Sequence, residues 1–314
     1  MSEGVCGTAG PRVCLILAVS VCCHDRGVAT RLVQTSLGAV EVALVGPMDG
    51  AVVLLFPGGH CTAASRVGAD LYTGLGYRVL TFSRPGYGRT RVGPLMAAEF
   101  VRAVAEVCEF LEICEPVATV GVSFGGLQAV EVAASLPRLA PRLVLHSCAP
   151  SSLPYPDTAL EAVAGPMVFG AHSQLLAWPA VRALTASDRG LRLMMSSLST
   201  ETPASWWESW TPADRASARE TFASMASGSG FVTDLRQGRA DRSHYREAVL
   251  RSVPCPTLVT ASRHDGGVRF AHAADFQRTI PMARLLETKA HSHLYWLGPE
   301  RPNLVTALQA FLTE

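Results

Sequence analysis

The stretch Gly121-Val122-Ser123-Phe124-Gly125 has the form Gly-x-Ser-x-Gly and is followed by a further glycine, Gly126. A serine hydroxyl is a weak nucleophile unless a turn exposes it and a base takes its proton. The flanking glycines have a steric reason. Where a strand turns sharply into a helix, a side chain two residues before or after the serine collides across the turn. The same turn aims the first N–H groups of the helix, beginning with that of Phe124, at an oxyanion forming on a substrate. The chemistry implied is acyl transfer through an acyl-serine. A bare pentapeptide also fits an ordinary glycine-serine loop, so the surrounding elements must decide.

A serine nucleophile needs a base, and the base needs a carboxylate to orient it. Asp265 lies in the turn Ser262-Arg263-His264-Asp265-Gly266-Gly267, just past the apolar run Thr257 to Ala261. An acid at the carboxyl end of a strand shares an edge with other residues placed that way. The bland alternative is a turn aspartate favoured by the glycine after it. Two histidines can serve as base, His291 and His293. His293 is preferred because Leu294-Tyr295-Trp296-Leu297 can pack behind its ring, which leaves His291 as a loop residue. His-x-His also suggests a metal pair, but no ligand-rich cluster accompanies it and no metal is expected. The second oxyanion donor is expected from Phe56-Pro57-Gly58-Gly59-His60-Cys61, with the Gly59 N–H preferred and His60 beside the substrate. The plain reading of those glycines is a tight turn.

The elements that would hold these residues are legible as periodicity. Leu32 to Val45 alternates about Leu37-Gly38 and predicts a hairpin. Ala51–Phe56, Arg78–Phe82, Val117–Val122, Leu143–His146, Thr257–Ala261 and Ala283–Glu287 are short apolar runs of the kind buried in parallel sheets. Helical spacing covers Ala97–Leu111, Leu127–Leu136 and about Asn303–Leu312. Residues 151–250 lack strand-like runs. The pattern predicts an α/β fold, a mostly parallel sheet with helices on both faces and a helical insertion. The expected division is an extension over 1–29, a core of 30–150 with 251–314, and a helical cap over 151–250.

Composition narrows the function. With 48% hydrophobic residues and mean hydropathy +0.23, the chain can bury a large core. Its 27 basic and 26 acidic residues leave a net charge of +1 and no electrostatic reason to expect nucleic acid. The nine cysteines are scattered without a Cys-x-x-Cys pair, so neither a disulfide framework nor a zinc site is expected. A reducing cytoplasm fits them. The apolar run Val13 to Cys23 is too short to span a bilayer; secretion is the alternative if it acts as a signal segment.

From Thr30 to Leu312 the chain resembles the α/β-hydrolase superfamily. The matching parts are Pro57-Gly58-Gly59, Arg84-Pro85-Gly86-Tyr87-Gly88-Arg89-Thr90, the turn at Ser123, Asp265 and His293. The resemblance implies an eight-stranded sheet, a Ser123–Asp265–His293 triad, a lid over the site and no cofactor. Pro57 stands where many members carry histidine, which shifts loop packing more than chemistry. A serine at the turn argues against the branches that use an aspartate nucleophile. In capped members the lid supplies most substrate contacts, so Trp206, Trp207, Trp210 and Met194, with Met167, Phe169 and Met195, are candidates to line an apolar pocket. Packing the cap's own core is the competing role. The expected substrate is a small or medium apolar ester, thioester or lactone, and the expected assembly a monomer or homodimer. Two other readings stand: a non-hydrolytic enzyme on the same scaffold (acyl transferase, cyclase or lyase of a natural-product pathway), and a non-catalytic ligand-binding protein.

Overall fold

The structure is a computed structural model and describes residues 28–156 and 174–314. The apolar run at 13–23, Met167 and Phe169 lie outside the described residues. Eight strands make one sheet: β1 (Thr30–Thr35), β2 (Gly38–Val45), β3 (Val52–Phe56), β4 (Arg78–Phe82), β5 (Ala118–Val122), β6 (Leu143–His146), β7 (Thr257–Ser262) and β8 (Ala283–Thr288). Their spatial order is β1-β2-β4-β3-β5-β6-β7-β8. The two pairings made by β2, with β1 and with β4, are antiparallel. Every pairing from β4 to β8 is parallel.

Burial explains the residue choice. All residues of β5, β6 and β7 are buried, so these strands read as mostly apolar runs with a few buried polar residues such as Thr119, His146 and Thr260. The edge strand β8 is only partly covered and carries Arg284 and Glu287. Successive residues serve opposite faces. Leu54 and Phe56 join Phe100, Val104, Ala129 and Phe276 on one side of the sheet. Val53 and Leu55 join Leu71, Tyr72, Leu308 and Phe311 on the other.

Helices α1 (Ala69–Thr73), α2 (Ala97–Phe110) and α3 (Gly125–Ser135) follow β3, β4 and β5. In α2 the buried positions Ala97, Phe100, Val101, Val104, Val107 and Cys108 recur at three- and four-residue intervals, which lays one stripe on the sheet. Between β6 and β7 the described residues hold only helical elements, the α-helices being Gln174–Thr185, Asp188–Ser196, Pro212–Ser224, Gly230–Gly238 and Ser243–Arg251. Helices Phe270–Thr279 and Arg301–Thr313 complete the layers.

Two helices escape the apolar pattern. Ala69–Thr73 is five residues long, too short for a period to show. Phe270–Thr279 buries His272, Asp275 and Thr279 alongside Ala273 and Phe276, so polar residues break the apolar stripe of its inward face. Helix α3 starts at Gly125, ahead of the first apolar residue, Leu127, because its first turn is built from the glycines that close packing demands.

Candidate active site

The parallel strands point their carboxyl ends to one edge of the sheet. Gly58-Gly59 follow β3 there, Ser123 follows β5, Asp265 follows β7 and His293 follows β8. Ligand sites in such sheets form along this edge.

Ser123 occupies left-handed backbone space at φ 51°. A non-glycine residue there costs about 1–3 kcal/mol and persists only when its surroundings impose it. They do so by contact. A Cβ at Gly125 would lie 1.9 Å from the Phe56 carbonyl oxygen, and one at Gly121 would lie 2.7 Å from Gly126 Cα. The Ser123 N–H donates to the carbonyl of His146 at 3.0 Å. Behind the turn, Tyr72 Oη lies 2.8 Å from His146 Nε2, Thr260 Oγ1 lies 2.6 Å from His146 Nδ1, and the Tyr295 ring stacks on the imidazole. Burial pushes the His146 pKa down to about 3, so this imidazole is neutral and braces the turn as a polar strut.

His293 Nδ1 faces the Asp265 carboxylate at 2.9 Å to Oδ2 and 3.1 Å to Oδ1. Asp265 Oδ1 also accepts the N–H groups of Gly267 and Val268 at 2.7 and 2.9 Å, which fixes the carboxylate in the loop. Burial acts to lower the His293 pKa, but the charge and hydrogen bond of Asp265 outweigh it and the net shift is upward. An imidazole held through Nδ1 has Nε2 left for proton transfer. Gly267 allows this close approach, since a Cβ on it would lie 2.9 Å from His293 Cγ. His291 turns elsewhere: its Nδ1 meets Glu201 Oε2 at 3.0 Å and its ring stacks on Trp206. The two histidines therefore diverge, and no group of three or more His, Cys, Asp or Glu among the described residues is placed to hold a metal ion.

The loop after β3 runs against the serine. A Cβ at Gly58 would sit 3.0 Å from Ser123 Cβ, and one at Gly59 would sit 3.1 Å from the Phe124 ring. The Pro57 carbonyl accepts Arg84 Nε at 2.9 Å. Arg84 in turn makes two bonds to Asp234, at 2.6 and 2.8 Å, and Tyr87 Oη donates to the same carboxylate at 2.6 Å. The pair is sealed from water, with side chains 4% and 3% exposed. Burial alone would lower the Arg84 pKa; Asp234 reverses that and holds it above the ordinary range. The rest of this motif is tied to β2. Glu41 accepts the N–H and the guanidinium of Arg89 and the hydroxyls of Ser83 and Thr30. Burial raises the Glu41 pKa, yet these bonds together keep it below the usual carboxylate value. So Arg84 to Thr90 braces the loop after β3 and joins it to helix Gly230–Gly238.

Aromatic rings enclose the serine side. Phe124 meets Tyr155 at 5.1 Å and Phe231 at 6.0 Å, both edge-on. The His60 ring lies 4.1 Å from Phe231 and 5.0 Å from Trp178. Ser227 Oγ accepts Trp178 Nε1 at 3.0 Å and lies 2.7 Å from His60 Nδ1. Burial, then the Arg84 charge, push the His60 pKa down to about 3, so it is a neutral polar group. Trp206, Trp207 and Trp210 go elsewhere. They pack together beside Leu191, Met195, Phe222 and Leu294–Leu297, with Met194 partly buried against the same cluster. They form the seam between the insertion and the sheet. Tyr155, Trp178 and Phe231 instead pack around Phe124 and His60, and sequence reasoning singled out none of the three for this place. For Tyr155 and Phe231 the trace in the sequence was an aromatic next to helix-breaking residues, Pro154 and Pro156 for the first and Gly230 for the second.

This fold and edge define a class. A family model described as "Alpha/beta hydrolase family" matches residues 52–308, and the chain belongs to that family. Membership makes it a hydrolase in the coarse sense. The chain is 28% identical over 286 residues to the uncharacterized hydrolase YcgS of Bacillus subtilis (strain 168), covering 88% of this chain and 95% of that one. Among solved structures, a thermophilic esterase from Thermogutta terrifontis superposes with TM-score 0.64 at 20% identity, covering 90% of this chain and 98% of that chain. The enol-lactonase from Burkholderia xenovorans LB400 gives TM-score 0.63 at 18% identity, covering 90% and 100%. At these identities the two structures speak to the fold. No helix among the described residues is long and apolar enough to cross a membrane.

Proposed function

We propose that the protein is a serine hydrolase that cleaves a small or medium apolar ester, thioester or lactone through an acyl-enzyme on Ser123. The observation that carries this reading is the Asp265–His293 pair on the same sheet edge as the strained Ser123 turn. Ser123 Oγ attacks the substrate carbonyl and its proton passes to His293 Nε2. Asp265 stabilises the imidazolium so formed. The N–H groups of Phe124 and Gly59 receive the oxyanion. Collapse of the adduct expels the alcohol or thiol, which takes the proton back from His293. Water, deprotonated by His293, then releases the acid and restores the serine.

The wall of Phe124, Tyr155, Phe231 and Trp178, with the neutral His60, suits an uncharged substrate with a compact apolar part. The segment between β6 and β7 supplies three of these side chains, Tyr155 from the loop after β6 and Trp178 and Phe231 from helices, and acts as the cap. Similarity to an esterase and an enol-lactonase agrees with the ester-or-lactone class without choosing within it. The test is turnover of short p-nitrophenyl esters and lactones together with labelling by a fluorophosphonate. Wild type should turn over and label at one site, and Ser123→Ala should do neither. Full labelling of Ser123→Ala overturns the assignment.

A further inference from the structure

Four consecutive residues of the helical insertion, Leu198 to Glu201, lie as a strap across the loops that hold Asp265 and His293. The Leu198 carbonyl accepts two N–H groups, one from Gly266 at 3.1 Å and one from His293 itself at 2.8 Å. Ser199 pairs with Asp265 in an antiparallel bridge. The Thr200 N–H donates to the His264 carbonyl at 3.0 Å, and the buried Ser199 hydroxyl donates to the His291 carbonyl at 2.5 Å. The Glu201 carboxylate then reaches a histidine on each loop, 3.0 Å from His291 Nδ1 and 3.4 Å from His264 Nδ1. One short segment thus bonds to both loops, at residues one or two away from the acid and the base and at His293 directly. A Cβ on Gly266 would lie 2.6 Å from Ser199 N, so the loop has no side chain where the strap crosses it.

We infer that the Leu198–Glu201 strap, through the side chains of Ser199 and Glu201, is the positioning element that sets the geometry between Asp265 and His293. Neither side chain touches substrate; both act through His291, His264 and the backbone of the two loops. The inference rests on the reading of Ser123, Asp265 and His293 given above. Its physical basis is that a base displaced by about 1 Å loses much of its rate advantage even when binding is intact. Loop ends held only by their own strands are looser than loops splinted by a third segment.

The test compares wild type, Ser199→Ala/Glu201→Ala and Glu201→Gln with a short p-nitrophenyl ester. The double variant should lose about tenfold in kcat with KM changed by less than about twofold, because the walls of the site are untouched. Glu201→Gln keeps an oxygen for His291 Nδ1 and should lose no more than about twofold. In proton NMR, the Nδ1 proton shared by His293 and Asp265 should give a downfield resonance in wild type and Glu201→Gln that broadens in the double variant. A merely structural role would leave that resonance sharp in the folded fraction. The inference is overturned if the folded double variant keeps kcat and the resonance, or if KM rises as much as kcat falls. If wild type is not labelled by a fluorophosphonate, the Ser123 reading fails and takes this inference with it; a labelled wild type with an unaffected double variant sinks the strap alone.

Discussion

The ion pair of Arg84 and Asp234 gives the sharpest energetic prediction. Two charges sit with side chains 4% and 3% exposed, joined by two short bonds and supported by Tyr87 and the Pro57 carbonyl. Removing one partner leaves a charge buried without its counter-ion, which costs about 3–5 kcal/mol. Replacing both with apolar side chains removes that penalty, and such replacements are often neutral or stabilising. We therefore expect Arg84→Met and Asp234→Leu each to lower the unfolding free energy by about 3–5 kcal/mol in urea titration, and the double variant to fall short of their sum by at least about 2 kcal/mol. The double variant should nonetheless stay slow. Without Arg84 Nε the Pro57 carbonyl loses its anchor, and in the proposed mechanism a displaced Gly59 N–H is a displaced oxyanion donor, a group worth about 10²–10³ in kcat when lost outright. Single variants within about 1 kcal/mol of wild type, or a double variant as unstable as the sum, would refute the claim that this pair is a coupled buried clamp.

Three further outcomes follow from other contacts. His293 must be neutral to act as base and its pKa is raised, so esterase activity should climb with pH through a midpoint above the ordinary imidazole value of about 6.5; Asp265→Asn should lower that midpoint and cut kcat by about 10⁴, read from a pH–rate profile. His60 and His146 have folded pKa values pushed down to about 3, so the unfolded chain binds more protons than the folded one between about pH 6.5 and about pH 3, and stability should fall as pH falls through that window; His146→Gln should flatten the slope of unfolding free energy against pH. Gly125→Ala forces a Cβ to 1.9 Å from the Phe56 carbonyl oxygen, so it should abolish activity and reduce soluble yield, whereas Ala134→Gly on the same helix should cost only about 1 kcal/mol in a thermal melt.

The sheet was legible because its interior strands are buried on both faces and spell themselves as apolar runs, each found within two residues of its observed limits. The Ser123 turn was legible because both flanking glycines are forced by close backbone contacts, Gly121 by Gly126 within the turn and Gly125 by the Phe56 carbonyl at the end of β3. Preferring His293 over His291 could be argued from the apolar Leu294–Leu297 beyond it, and that segment is buried in the structure. The walls of the site were not legible. Tyr155, Trp178 and Phe231 come from separate parts of the insertion and meet only through tertiary packing, while the conspicuous Trp206-Trp207 pair fills the seam beneath. The strap was hidden for a different reason. Three of its bonds are made by backbone groups, the Leu198 carbonyl and the Thr200 N–H, which any sequence carries, and Glu201 is an ordinary acid until both loops are folded beside it.

The strap also bears on how such proteins could exchange specificity. A graft that swapped the insertion wholesale, cutting after β6 and before β7, would import new walls for the site. It would also discard the Leu198 carbonyl that holds the His293 and Gly266 N–H groups. A chimera built by chain order alone would then bind its new substrate and turn it over poorly. One that kept Leu198–Glu201 with the recipient sheet, and spliced the new helices on either side, should inherit both recognition and rate. By chain position those four residues belong to the insertion; by the bonds they make, they belong to the core.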